Sequence, residues 1–122
     1  MSVRAMIVDD QADIRELIRM LIELANGDLV VSCEAGSGRE ALALLDACDP
    51  TVVVLDEMMP GMNGIEVATR IAERRPGLHV ILCSAYLDDD ITNRARLAGV
   101  SAFVHKVEIR RIPDLVRQLG AA

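Results

Sequence analysis

The sequence predicts an α/β fold, in which one parallel sheet carries helices on both faces. Two observations predict it. Short apolar runs begin near residues 3, 29, 52, 79 and 101, and so recur about every 25 residues. The segments between them space their apolar residues three and four apart, as on one face of a helix. Five such βα units form a doubly wound, five-stranded sheet.

The first unit pairs a strand over 3–8 with a helix. The strand ends at the acidic pair Asp9-Asp10. The apolar face of the helix consists of Ile14, Leu17, Ile18, Leu21 and Ile22. Asn26 and Gly27 are expected to end this helix, because both residue types tolerate the left-handed backbone that closes a helix.

The second unit begins with a strand over 29–33. Ser37 and Glu40 have the spacing of a capping box, which predicts the start of a second helix. Asp49-Pro50 is expected to end that helix, since proline cannot continue it.

The third strand covers 52–55, four consecutive apolar residues that are typical of a strand buried on both faces. It ends at Asp56. The turn residues just beyond are Pro60, Gly61 and Gly64. A carboxylate on a rigid strand beneath a stiff loop suits a nucleophile or a metal ligand, although Asp56 taken alone could simply cap a turn.

The third helix is predicted to begin after Asn63 and to end at Pro76-Gly77. A fourth strand over 79–83 ends at Ser84. The acidic run at 88–90 favours the start of a fourth helix, because carboxylates cap and stabilise a helix N-terminus.

The fifth unit follows Gly99. Its strand covers 100–104 and ends at His105-Lys106. A last helix is predicted over 112–119, with Pro113 tolerated in its first turn.

Composition excludes several classes of protein. The 122 residues (1–122) are predicted to form a single domain, and 52% hydrophobic with 26% charged residues is typical of a globular one. No apolar run approaches the ~20 residues that span a bilayer, and no signal peptide is recognisable, so we expect a cytoplasmic protein without membrane contact. A net charge of −6 argues against binding of nucleic acid by this domain.

The three cysteines are Cys33, Cys48 and Cys83, an odd number without a CxxC pair. This pattern predicts neither a disulfide nor a zinc site. Cys33 and Cys83 lie in apolar strands and are expected to act as small buried hydrophobic residues.

Polar side chains are predicted to meet where the strands end. They are Asp9, Asp10, Asp56, Ser84 and Lys106. The carboxyl ends of parallel strands open onto one crevice. If strands one and three are neighbours, their acids lie on strands ~5 Å apart and repel one another unless a cation joins them. Mg²⁺ is the natural cation, because it takes oxygen ligands. With a lysine and a hydroxyl beside it, this set fits phosphoryl transfer onto a carboxylate.

Four elements in order carry a family resemblance. They are Asp9-Asp10, Asp56-x-x-Met59-Pro60-Gly61-Met62-Asn63-Gly64, Ser84-Ala85 and Phe103-x-x-Lys106. Over residues 3 to about 119 the chain resembles the receiver domain of bacterial two-component response regulators. The resemblance implies a flavodoxin-like (βα)5 fold with strand order 2-1-3-4-5.

The resemblance implies a role for each acidic residue. Asp56 would accept the phosphoryl group and also bind Mg²⁺. Asp10 would bind the metal directly and Asp9 largely through water, and the backbone carbonyl of Met58 would be a further ligand.

The resemblance also implies a switch and its partners. Ser84 and Lys106 would bind two phosphoryl oxygens, and Phe103 would turn inward as Ser84 moves, which changes the face of the fourth helix, fifth strand and fifth helix. The donor would be a sensor histidine kinase or a phosphotransfer protein, and the reader a downstream output domain or protein. The resemblance allows a homodimer through the fourth and fifth helices, and it implies a signalling domain rather than an enzyme.

Departures and alternatives bear on this interpretation. Val107 stands where the family usually has proline, so the loop around Lys106 is expected to differ. A degenerate receiver would signal by protein contact without phosphorylation. An aspartate-nucleophile phosphohydrolase would need a second acid where Met58 stands. A flavodoxin-like cofactor carrier would need a phosphate-binding loop where the sequence is acidic. Phe103 could also be a plain core residue.

Overall fold

A computed structural model describes residues 2–25 and 27–121 as a single sheet flanked by helices. Its elements in order are β1 (Val3–Val8), α1 (Ala12–Leu24), β2 (Leu29–Ala35), α2 (Gly38–Cys48), β3 (Val52–Asp56), α3 (Gly64–Arg74), β4 (His79–Ser84), α4 (Asp89–Leu97), β5 (Ala102–His105), a 3₁₀ helix (Lys106–Arg111) and α5 (Ile112–Gly120). The strands are parallel in the order β2-β1-β3-β4-β5. The predicted α/β fold and strand order are therefore confirmed.

The central strand β3 is buried on both faces, as its apolar run predicts. Val53 and Leu55 face a core formed with α2, α3 and α4, whereas Val52 and Val54 face a second core formed with α1 and α5. Fully burying each of these side chains contributes about 1.5–3 kcal/mol. All five residues of the strand that positions Asp56 are therefore buried.

Local capping follows the sequence signals with one difference. The side chain of Asn63 accepts a hydrogen bond from the Glu66 N–H at 2.9 Å, and the Glu66 carboxylate accepts from the Asn63 N–H, which completes a capping box. Ser37 likewise accepts from the Glu40 N–H at 3.1 Å. The Glu40 carboxylate, however, accepts from the Gly36 N–H instead of from the Ser37 N–H, so the capping box predicted at Ser37 and Glu40 is only half formed.

Element ends differ in places from the predicted ones. The first helix ends at Leu24; of its two predicted stop residues, Asn26 lies outside the described residues. The last strand begins at Ala102 rather than at residue 100, and the 3₁₀ helix before α5 was not predicted. Within the described part of the chain, no helix is long and apolar enough to cross a membrane.

The cysteine prediction was wrong for one pair. Cys33 in β2 and Cys48 at the end of α2 form a disulfide across 15 residues. An odd number of cysteines does not exclude one pair, and here the helix packs back on its own strand and brings the two together. Cys83 is free and buried, as expected, and burial raises the pKa of its thiol to about 12. Such a thiol is inert at neutral pH.

Candidate functional site

Three carboxylates converge at the carboxyl edge of the sheet. Asp9 follows β1 and Asp56 ends β3, and these strands are paired through Val8 and Leu55. One oxygen from each of Asp9, Asp10 and Asp56 lies within 4.8 Å of the others. Asp9 and Asp56 are only 2% and 3% exposed, while Asp10 is open to solvent. The predicted acidic cluster therefore forms, with one side accessible.

Lys106 brings a positive charge into this cluster. Its Nζ lies 3.2 Å from Asp56 Oδ1 and 3.5 Å from Asp9 Oδ2. The residue begins the 3₁₀ helix directly after β5, and its side chain reaches past the end of β4 to the acids that follow β3 and β1. The peptide bond to Val107 is trans and the Val107 side chain is 82% exposed. With valine at position 107, Lys106 lies beside the two acids.

Burial and charge shift the pKa values of this group. Burial, and then the negative charge of Asp9, raise the pKa of Asp56 from 3.8 to about 6, although Lys106 and the backbone N–H of Met58 act in the opposite direction. Burial acts to lower the pKa of Lys106, but the hydrogen bond and charge of Asp56, helped by Asp9, outweigh it and raise that pKa. At pH 7 the site therefore holds an ionised carboxylate beside an ammonium group.

The loop after Asp56 is held tightly against the strand. A Cβ at Gly64 would lie 2.5 Å from the Asp56 carbonyl oxygen and 2.8 Å from Glu57 Cα, closer than real atoms approach. The Gly64 N–H donates to the Glu57 carbonyl, and the Glu57 N–H donates to the Cys83 carbonyl. Only glycine permits this approach, whereas the sequence had suggested no more than a turn.

The Ser84 hydroxyl is hydrogen-bonded within its own loop. Ser84 is 1% exposed at the end of β4. Its Oγ donates to the Tyr86 carbonyl oxygen at 2.8 Å and accepts from the Tyr86 N–H at 3.1 Å. The hydroxyl must leave the Tyr86 carbonyl before it can donate to any ligand.

Two further predicted residues lie at the border of the site. The Met58 N–H bonds to Asp56, and the Met58 side chain is 69% exposed; ligation of a metal by its carbonyl stays a prediction. Phe103 is half-buried in β5 and packs against the core, with its ring centroid 5.4 Å from Cζ of Arg96. Phe103 is thus both a core residue and a contact of α4.

Sequence reasoning missed Arg15. Its Nη1 donates to the carbonyl oxygen of Asp9 at 2.7 Å, so α1 holds the loop that carries the acidic pair. Nothing in the sequence distinguishes this arginine from a solvated residue on a helix surface.

Comparisons with known proteins agree on one family. The model of the response regulator receiver domain matches residues 5–117. The positive alginate biosynthesis regulatory protein of Pseudomonas aeruginosa is 38% identical over 117 residues, which cover 96% of this chain and 46% of that protein. The DNA-binding transcriptional activator DevR/DosR of Mycobacterium tuberculosis is 36% identical over 98% of this chain and 55% of its own length. The chain therefore spans about half the length of these curated relatives.

Solved structures show the same fold. The signal receiver domain of NarL from Mycobacterium tuberculosis matches with a TM-score of 0.91 and 32% identity, over 99% of this chain and 98% of that one. The response regulator domain of Thermotoga maritima CheB matches with a TM-score of 0.89 and 25% identity, over 100% and 98% of the two chains.

Proposed function

The chain belongs to the response regulator receiver family of two-component signalling, and on this premise we propose that Asp56 is its phosphoryl acceptor. One observation carries the proposal. Asp56 ends the central strand with an ammonium 3.2 Å away and two further carboxylates close by. A nucleophile, a positive charge and a cluster of oxygen ligands are the parts that phosphoryl transfer to a carboxylate needs.

The acidic cluster fits Mg²⁺. Carboxylate oxygens of Asp9, Asp10 and Asp56 offer the hard ligands that this ion takes, and the backbone carbonyl of Met58 would complete the protein ligands. When bound, the ion supplies positive charge that stabilises the phosphoryl oxygens. The repulsion between Asp9 and Asp56, which contributes to the raised pKa of Asp56, supports cation binding here.

The reaction uses the ionised side chain of Asp56. Its carboxylate oxygen attacks the phosphorus of a phosphohistidine, the P–N bond breaks, and the imidazole nitrogen keeps the electron pair. Because the pKa of Asp56 is about 6, most of the population is ionised at pH 7. Lys106, already beside the acceptor oxygen, pairs with a phosphoryl oxygen.

Ser84 and Phe103 would relay the modification. The new phosphoryl group adds about −1.5 to −2 charges, which favours a hydroxyl donor close to it. The Ser84 hydroxyl then exchanges the Tyr86 carbonyl for a phosphoryl oxygen. Phe103 lies on the neighbouring strand, paired with Leu82, and could turn into the space that opens. The face made of α4, β5 and α5 thereby changes, as a shift between two states.

The chemistry of the acceptor also indicates the partners. The donor would be a sensor histidine kinase or a phosphotransfer protein, and the signal would pass to an output domain or protein, with a homodimer through α4 and α5 as one form of output. One relative, DevR/DosR, is described as DNA-binding, whereas this domain has a net charge of −6 and would not itself bind nucleic acid. We place this phosphorelay in the cytoplasm and regard the domain as a signalling module, not an enzyme.

Intact-mass spectrometry after incubation with acetyl phosphate tests the acceptor. We expect a gain of one phosphoryl group that requires Mg²⁺, is lost in Asp56→Asn, and persists in the exposed control Asp28→Asn. No gain in any condition would favour a degenerate receiver. Continued release of inorganic phosphate without a stable adduct would favour a phosphohydrolase.

A further inference from the structure

Arg15 links three elements around the acidic pair. It lies in the first turn of α1, and its side chain is 22% exposed. Nη1 donates to the Asp9 carbonyl oxygen at 2.7 Å, and Nε lies 3.6 Å from Glu34 Oε1 near the end of β2. A bond from a charged donor is roughly twice as strong as a neutral one. The side chain therefore joins α1, the loop after β1, and β2.

Besides its ion pair with Lys106, Asp9 is held by three hydrogen bonds. Its N–H donates to the Ala35 carbonyl at 3.1 Å, and its Oδ1 accepts from the Gln11 N–H at 2.9 Å. Arg15 fixes the remaining backbone group, the carbonyl that leads into Asp10. Loss of Arg15 would leave this peptide unit, and with it the direction of the next side chain, without its contact to α1.

The arginine is itself positioned by its surroundings. Glu34 also forms an ion pair with Arg19, whose Nη1 lies 2.7 Å from Glu34 Oε2. This carboxylate therefore lies between the guanidinium groups of Arg15 and Arg19. A Cβ at Gly36 would lie 3.4 Å from Arg15 Nη1, so the guanidinium also lies close to the backbone at Gly36. An arginine that is ion-paired and packed in this way is suited to hold the Asp9 carbonyl, and the loop after β1, in position.

We infer that Arg15, held by Glu34, is a positioning residue that sets the affinity of the acidic cluster for Mg²⁺. This inference rests on the proposed metal site. An alternative role for Arg15 predicts the opposite change in Mg²⁺ affinity when the residue is removed. If Arg15 acted only as a nearby positive charge, it would repel the metal, and its removal would tighten binding. If it orients Asp9 and Asp10, its removal weakens binding, because partners that orient metal ligands typically alter affinity by about 10–100-fold.

Isothermal titration calorimetry with Mg²⁺ separates the two. We expect Arg15→Gln to raise the dissociation constant about tenfold, Glu34→Gln to raise it less, and Arg15→Lys to restore part of the affinity through one remaining donor. Arg19→Gln is the matched control, since it removes an arginine from the same carboxylate without touching Asp9, and it should stay within about twofold of the parent. Circular dichroism confirms that each variant is folded.

Phosphorylation by acetyl phosphate across a Mg²⁺ series gives a second readout. In Arg15→Gln the Mg²⁺ concentration for half-maximal rate should rise while the rate at saturating Mg²⁺ stays close to that of the parent. Unchanged or tighter Mg²⁺ binding in folded Arg15→Gln would overturn the inference and leave Asp56 as acceptor. The two proposals can also fail separately. If the parent protein binds Mg²⁺ but is never phosphorylated, the acceptor proposal fails, and weaker Mg²⁺ binding by Arg15→Gln would still support the inference.

Discussion

Replacing Asp56 by Asn should stabilise the metal-free protein at pH 7. Burial and the charge of Asp9 raise the pKa of Asp56 from 3.8 to about 6. Each pKa unit corresponds to about 1.36 kcal/mol, so ionising this carboxyl group in the folded state costs about 3 kcal/mol. Asn keeps the size of the side chain and cannot ionise. The free energy of unfolding should therefore rise by about 3 kcal/mol.

The pH dependence has a defined sign. Because the folded pKa lies above the unfolded one, the folded state binds more protons between pH 3.8 and about 6, and the parent protein loses stability as the pH rises through this window. Asp56→Asn removes that loss. The stability gap between variant and parent should be about 3 kcal/mol at pH 7, about 1.5 at pH 5 and about 0.5 at pH 4.

Urea unfolding followed by circular dichroism, in EDTA at these three pH values, measures the gap. Asp28→Asn, an exposed acid away from the cluster, serves as the control and should show no comparable gain at pH 7. A gap near zero at pH 7, or one of equal size at pH 4 and pH 7, would refute the claim that burial and Asp9 make ionised Asp56 costly.

Three further predictions follow from the same contacts. Lys106→Met removes the ammonium beside Asp56 and should slow phosphorylation by acetyl phosphate about a hundredfold, measured from the rate of mass gain at saturating Mg²⁺; a rate within twofold of the parent would contradict its role. Gly64→Ala places a methyl group against the Asp56 backbone and should lower the free energy of unfolding in urea by about 2–3 kcal/mol, and an unchanged midpoint would show that the loop yields easily. Reduction of the Cys33–Cys48 disulfide, which closes 15 residues, should lower stability by about 3 kcal/mol, seen as a drop in melting temperature on adding reductant that Cys48→Ser no longer shows.

The convergence of the acids was predictable from sequence for a topological reason. In a doubly wound sheet all parallel strands end at one edge, so residues that follow the strands must meet there. Correct strand ends were enough to place Asp9, Asp56 and Lys106 at one edge of the sheet. The strand order that makes β1 and β3 neighbours was implied only by the family resemblance. The fold followed similarly, because the apolar run of β3 and the helical spacing between strands are local patterns.

Features that depend on side-chain direction were not predictable. Spacing could not show that the Ser84 hydroxyl turns to Tyr86, because a rotamer is decided by neighbours in space. The disulfide depends on how α2 packs on β2, and three cysteines leave three possible pairs. Arg15 reads as a surface residue until the loop of Asp9 is placed beside it.

The position of Lys106 between two buried carboxylates has a consequence for the metal-free site. The protein supplies its own tethered counterion, which lies 3.5 Å from Asp9 and 3.2 Å from Asp56 before any cation arrives. A divalent ion that bound the proposed site would therefore meet two carboxylates that are already paired with a cation. Without the ion, Lys106 offsets part of the negative charge of the two buried acids, so the metal-free site is not a bare cluster of carboxylates.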